Sequence, residues 1–322
     1  MAASIINSQP HQADIVLVAA NNDISSSFGK GADRGPAAIK DCLDRQIEFR
    51  EPRTGIVAIE RLKIGWLDLG DLNGDRTPEA LAAAVQAVAA GCDAVYRAGH
   101  VPFVVGGDHS NAIGALIAAG QRQGGPGQVT VLDIDAHHDL RLDDADYNDT
   151  PYGGLAHCCA LRPAVTAGFR LVQVGIRAFS REEEVFANGL GGGGRTRAFR
   201  WGMEKSFMPP PVKTIVDAIE TDLVYITIDV DGFDPAFMPA TGTPVSGGLG
   251  WWYGWDLLQE VCRRKTVIGA DLCEVAPRPP VCRDTLTEYN AAQLIYSLIT
   301  WAWAAPSTAT SCPPRRRRKG GG

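Results

Sequence analysis

The sequence predicts a single-domain, three-layer αβα protein with a mainly parallel sheet. Short apolar runs of strand length alternate with segments of helical spacing along the chain, the pattern of a parallel sheet covered on both faces. Several of these runs end abruptly in acids and histidines, above all Val131–Arg141, VLDIDAHHDLR. In open parallel sheets, ligands sit at the carboxyl ends of the strands. The 322 residues, 45% apolar and 21% charged, suffice for one large domain, and no repeat or linker divides them.

Taken in order, residues 1–12 read as a flexible polar arm and 13–305 as the α/β domain. Residues 13–20, ADIVLVAA, read as a first buried strand, and the Ser- and Gly-rich stretch 24–36 as a loop. A helix is expected over 37–44, with Pro36 in its first turn. Residues 63–69 form a second strand. Thr77 suits an N-cap, Pro78 the first helical position and Glu79 the positive end of the dipole. The Ala-rich helix that follows runs to about Ala98.

The run VPFVV at 101–105 is a third strand, closed by Gly106-Gly107-Asp108-His109-Ser110. A helix over 111–119, a Gly-rich turn over 121–127 and a strand from Val129 to about Asp133 come next. Later strands are expected at 171–176, 223–229 and 267–273, and helices at 181–188, 212–221, 254–264 and 287–302. A flexible glycine loop is read at 191–194. The tail 306–322 carries RRRRK at 315–319 and reads as a solvated, disordered end, with a nuclear address or an anionic surface as the alternative.

Composition removes several classes of function. A formal net charge of −6 argues against a nucleic-acid surface over the body of the chain. No apolar run is long enough to span a membrane. The N-terminus lacks a basic region followed by an apolar one, so no secretory signal is read and a cytoplasmic location is expected. The eight cysteines include no CxxC pair and are expected as reduced thiols.

Four strand ends present polar clusters: GGDHS at 106–110, DIDAHHD at 133–139, DVDGFD at 229–234, and Glu274. Desolvating so many ionisable groups is costly unless they pair or bind a cation. A metal site therefore stands against a network of capped loops and ion pairs. Two histidines and four aspartates suit a pair of divalent ions such as manganese better than a thiolate zinc site. Asp135, His137 and Asp139 are two apart, so an extended stretch points them to one side, and Asp229 and Asp231 repeat the device. His138 falls on the opposite phase, which suits a supporting or packing role. Asp133 suits a loop cap rather than a ligand, and Asp234 before Pro235 suits the ordering of its own turn.

In that order, GGDHS, DIDAHHD and TIDVDGFDP resemble the signature set of the ureohydrolase family, which comprises arginases, agmatinases, guanidino-acid hydrolases and formimidoylglutamases. The resemblance extends from about Gly35 to Ser297, with support from GPAAI at 35–39, GIR at 175–177, PATGTPVSGGL at 239–249 and DLCEVAP at 271–277. It implies an arginase-like fold and two manganese ions per subunit, with nickel accepted by the same donors. It places His109, Asp135, Asp139 and Asp229 on the first ion, and His137, Asp231 and the shared Asp135 and Asp229 on the second. It implies that a metal-bridging hydroxide, steadied by Asp139, attacks a guanidino or imidoyl carbon and releases urea. Glu274 would pair with the substrate guanidinium. His157 would shuttle a proton or pair with substrate.

The chain departs from the family after His157. Cys158 and Cys159 follow where a Gly and a small polar residue are usual, and packing is expected of them rather than reactivity. Arg141 follows Asp139-Leu140, as in the DLR of formimidoylglutamases, whose substrate carries carboxylates, and an Arg is the natural partner of a carboxylate. Those enzymes tend to lack the histidine that His157 represents. The mixture points to a guanidino acid such as guanidinobutyrate or guanidinopropionate, or to an agmatinase-like substrate, with a surface salt bridge as the plain alternative for Arg141. A formimidoylglutamase releasing formamide is the second enzymatic expectation, and a non-catalytic metal-binding or regulatory relative is an alternative of another class. The resemblance also implies a homotrimer or homohexamer, with a small guanidino or amidino molecule as partner.

Overall fold

Ile15 and Leu17 point to one face of the first strand and Val16 and Val18 to the other, and all four are buried. A strand apolar on both faces needs a layer on each side. The computed structural model describes residues 4–189, 192, 194–278 and 285–305. Its strands are β1 (Ile15–Asn21), β2 (Ile64–Asp71), β3 (Val101–Val105), β4 (Val129–Ile134), β5 (Arg170–Ile176), β6 (Thr196–Arg200), β7 (Leu223–Asp229) and β8 (Thr266–Cys273). They form one wholly parallel sheet in the order β2-β1-β3-β8-β7-β4-β5-β6.

Helices α1 (Gly35–Arg45), α6 (Val212–Asp217), α7 (Trp251–Arg264) and α8 (Leu286–Ile299) cover one face. There Ile39, Ile215, Leu257 and Leu294 pack on Leu17, Phe103, Ile134 and Ile228. Helices α2 (Pro78–Arg97), α3 (Asn111–Arg122), α4 (Arg162–Ala167) and α5 (Arg181–Asn188) cover the other. Here Val88, Leu116, Val165 and Ala187 meet Val16, Val104, Val131 and Leu171. Each fully buried aliphatic side chain contributes about 1.5–3 kcal/mol, so both layers hold the sheet.

Thr77 caps α2 as its position suggests, its side chain accepting from Ala80 N at 3.2 Å. Other expectations are corrected. The edge strand β6 has no apolar run; its sequence TRAFR is half exposed and is defined by pairing with β5. The short helix α4 was likewise not expected. The helix expected over 212–221 stops at Asp217, α3 runs on to Arg122, and the closing helix ends in a π turn over Thr300–Ala304. The described part of the expected arm, residues 4–12, is packed: Ile5 is fully buried and Asn7 bonds to the backbone of Leu62 and Ile64. Two isoleucines among polar neighbours are enough to anchor it. The glycine loop at 191–194 lies partly, and the tail 306–322 wholly, outside the described residues.

The topology sets the site. The chain passes from β3 to β4 across the places later filled by β8 and β7. The four strand ends with polar clusters are therefore the four central neighbours, at the point where the winding reverses and an open sheet forms its crevice.

Candidate metal centre

Register places the clusters in rows. Asp133 pairs with Thr227, and Thr227 with Asp271, across β4, β7 and β8. One pleat further on, Asp229 pairs with Cys273, with Asp135 next in line on β4. Successive side chains alternate between faces, so both rows face the side of α2 and α3. Beside them β3 delivers His109 through two glycines. A Cβ on Gly107 would lie 2.1 Å from Asn22 O, and one on Gly106 3.0 Å from Leu272 O, so the chain can pass here only without side chains.

His109 is fully buried. Its Nδ1 lies 2.8 Å from Asp139 Oδ2, 3.3 Å from Asp135 Oδ2 and 3.7 Å from Asp229 Oδ2, and its Nε2 lies 2.9 Å from Thr227 Oγ1. His137 Nδ1 lies 3.1 Å from Asp231 Oδ2 and 3.6 Å from Asp135 Oδ1. Two donor groups result, His109–Asp135–Asp139 and Asp135–His137–Asp231, each with ligand atoms within 4.8 Å of one another. Asp135 belongs to both. Its Oδ2 is buried and accepts no hydrogen bond, although it stands beside His109. Burial opposes ionisation of Asp135, but His109 and His137 outweigh it and hold the carboxyl far below the usual range. Burial pushes Asp139 up to about 7 and Asp229 well above the carboxylate range, each reinforced by neighbouring carboxylates. A set of buried acids that cannot all ionise alone is one that fits cations.

Two members hold strained backbone. Asp139 has φ +50° and Glu274 φ +63°, left-handed values that L side chains adopt at a cost. Surrounding bonds fix both. Asp139 O accepts from Leu161 N at 3.0 Å, and Glu274 N donates to Gly107 O at 2.8 Å. Glu274 Oε1 accepts from His109 N at 2.9 Å and lies 3.6 Å from His157 Nδ1.

The other residues singled out from sequence are placed as follows. His157 sits beside the cluster, its Nε2 3.2 Å from Ser27 Oγ, and burial pushes its imidazole down to about 4, with the charges of His137 and His109 adding to the effect. His138 turns away and joins Gln173 Oε1 through Nδ1 at 2.7 Å, while Gln173 Nε2 donates to Asp133 Oδ2 at 2.8 Å. Asp234 accepts from Ala236 N, Gly247 N and Gly248 N. Arg141 is committed within its own loop. Its Nη1 lies 2.7 Å from Asp146, its guanidinium covers Tyr147 at 4.5 Å, and Nε lies 3.8 Å from Glu183. Cys158 and Cys159 are buried beside Ala156 and Tyr152, their sulfurs 3.8 Å apart. A large cavity of about 1710 Å³ opens at the opposite edge, lined by Val101, Leu223, Thr266 and Trp303 among others, and holds none of the polar cluster.

Three supports were not singled out from sequence. Arg177, noted only within GIR, spreads its guanidinium over the carbonyls of Gly175, Asp231, Gly232, Phe233, Val245 and Ser246. Ser25 Oγ donates to Asp108 Oδ2 at 2.8 Å and accepts from His157 N at 3.0 Å. Thr243 Oγ1 donates to Asp231 Oδ2 at 3.2 Å. Ser25 and Thr243 gave no local signal, because their partners lie 83 or more and 12 positions away in sequence.

The model of the arginase family matches residues 13–300. An N(1)-aminopropylagmatine ureohydrolase of Synechocystis sp. is 31% identical over 291 residues, covering 89% of this chain and 88% of that protein. A guanidinobutyrase of Pseudomonas aeruginosa is 29% identical, covering 89% and 85%. Among solved structures, an agmatine ureohydrolase of Thermoplasma volcanium matches with a TM-score of 0.74 and 25% identity over 92% of each chain.

Proposed function

The chain belongs to the arginase family, and on that premise we propose that it binds two divalent ions, manganese foremost, and releases urea from a small guanidino substrate. That it is a hydrolase of C–N bonds in guanidino compounds follows from its family and its named relatives. The observation that carries the metal reading is the pair of donor groups sharing Asp135, whose Oδ2 is buried without a hydrogen bond. His109, Asp135, Asp139 and Asp229 would hold the first ion, and His137, Asp231, Asp135 and Asp229 the second. Two such ions, when bound, supply a water acidified enough to act as a nucleophile near neutral pH. Nickel suits the same donors.

The chain's own groups do the rest. Glu274 is buried, and burial together with Asp108 pushes its carboxyl well up. An arriving guanidinium relieves that cost and gains a charge-assisted, planar contact. His157 is held neutral near pH 7, so its Nδ1, facing Glu274, would accept the proton that the attacking water gives up and hand it to the leaving amine. Asp139, locked by its backbone, orients the attacking water. The family resemblance supports a homotrimer or homohexamer. Among the described residues no helix is long and apolar enough to cross a membrane.

For the substrate tail, a guanidino acid is the first reading. The Arg141–Asp146 pair has an Asp side chain that is 75% exposed, a weak surface contact of about 0–1 kcal/mol that a substrate carboxylate could replace. The second reading is an agmatine-type amine, favoured by Asp146 and Glu183, which screen the charge of Arg141 from a cationic tail. The test is manganese-loaded protein offered arginine, agmatine, aminopropylagmatine, guanidinobutyrate, guanidinopropionate, guanidinoacetate and formimidoylglutamate, with His137→Ala as control. Urea from a carboxylate-bearing substrate, lost in Arg141→Ala, supports the first reading, and urea from the amines alone selects the second. Formamide would move the protein to the imidoyl branch, and no product with two ions bound would refute the activity.

A further inference from the structure

Beside the two donor groups lies a third. Ligand atoms of His109, Asp229 and Cys273 stand within 4.8 Å of one another. The backbone dictates this proximity. Asp229 and Cys273 are register partners at the ends of β7 and β8, so their side chains leave the same face of the sheet side by side. Cys273 is 1% exposed, and its sulfur makes one weak hydrogen bond, 3.5 Å to Ile228 O. The ladder thus holds the thiol against the cluster, beside His109. A second observation points the same way. Across the first position Asp135 Oδ2 is buried and accepts no hydrogen bond, so acceptors converge there in excess of the donors present.

We infer that Cys273 is a soft donor to the first metal position, completing with His109 and Asp229 a mixed nitrogen, oxygen and sulfur set that admits a thiophilic divalent ion such as zinc or cobalt. This rests on the dinuclear reading above. Bond lengths of about 2.3 Å to sulfur and 2.0 Å to nitrogen, at a tetrahedral angle, put those two donors about 3.5 Å apart, inside the 4.8 Å within which the ligand atoms lie. On binding, the Sγ–H bond breaks, its proton leaves to solvent, and the sulfur lone pair bonds the ion, with no change in oxidation state. Thiolate and imidazole donors favour zinc, whereas a site of oxygen and imidazole alone favours neither ion so strongly.

The full-length protein would be loaded with two equivalents of cobalt(II), bound metal would be counted, and near-ultraviolet absorption would be recorded for wild type, Cys273→Ser, Cys273→Ala and Cys262→Ala. A thiolate-to-cobalt charge-transfer band is expected in wild type and Cys262→Ala and absent from both Cys273 variants. The preference for zinc over manganese, measured by competition, should fall about tenfold or more in those variants. Two cobalt ions bound without the band, or a band that survives in both Cys273 variants, overturns the assignment of Cys273 and leaves the dinuclear reading standing. Failure of wild type to bind cobalt, zinc or manganese overturns both.

Discussion

Arg177 offers the sharpest test of how the two halves of the site are held together. Its backbone N donates to Ala136 O at 2.8 Å, and Ala178 N donates to the same oxygen at 3.0 Å, beside His137. Its guanidinium meanwhile gathers Gly175 O at the end of β5 and five carbonyls from the loops around Asp231, of which Val245 O at 2.6 Å, Asp231 O at 2.7 Å and Gly175 O at 2.9 Å are the shortest. Substitution to Met keeps the aliphatic stem and removes those donors. A charge-assisted hydrogen bond contributes about 1.5–3 kcal/mol. The guanidinium is half-buried, so water replaces part of each, and about 1 kcal/mol for each of the three short bonds gives a loss of about 3 kcal/mol. For a chain of this size that lowers Tm by roughly 4–5 °C. Lys, with one charged nitrogen and no planar fork, should recover only a minor part. Because Asp231 and His137 would no longer be fixed to each other, affinity at the second metal position should weaken about 10–100-fold. Thermal unfolding of the metal-free protein and metal titration by calorimetry read the two effects separately. An Arg177→Met protein that unfolds within 1 °C of wild type, or that binds two ions as tightly, would refute the reasoning.

Three further outcomes are expected. Gln173→Leu strands His138 Nδ1, His138 O and Asp133 Oδ2 in the interior and should cost about 3 kcal/mol or more in denaturant unfolding, since each orphaned polar group costs about 1–3 kcal/mol. Ser25→Ala removes the bridge between Asp108 and the backbone of His157. Urea release by that variant should lose about tenfold or more in kcat with little change in KM, as expected when a proton-transfer group is displaced, and an unchanged kcat would dismiss Ser25 as a positioning residue. His157 has a folded pKa pushed down to about 4 by burial. Below about pH 6.5 the unfolded chain takes up a proton there that the folded protein refuses, so its contribution to stability is full above pH 6.5 and is lost as the pH falls toward 4. In the metal-free protein His157→Asn should flatten that part of the stability profile, and identical slopes would contradict the burial argument.

Much of this was legible in the sequence because the signals are local. Near-continuous apolar runs mark β1, β3, β4, β7 and β8, because both faces of each are buried. Acids and histidines at their ends mark the crevice, because so much charge cannot be desolvated without partners. Thr77 and Pro78 announce their helix through chemistry that acts within one turn. The edge strand β6 was not legible, since its half-exposed TRAFR acquires extended structure from β5 rather than from its own pattern. Nor was the burial of Ile5, which depends on a groove the later chain builds.

Within the site, the sequence alone placed the polar groups: His109, Asp135, His137, Asp139, Asp229, Asp231 and Glu274 each sit at or just beyond a strand end that their own neighbours define. What only the tertiary structure decided is which groups meet. The order β3-β8-β7-β4 brings Asp133, Thr227 and Asp271 into one row, and sets Cys273, unremarkable in DLCEVAP, in register with Asp229. It likewise makes Arg177 the tie between two loops. Pattern fixes a strand and the direction of its side chains because steric and solvent forces act over a few residues. Adjacency across the sheet comes from the crossover topology, a property of the whole chain that no single segment encodes.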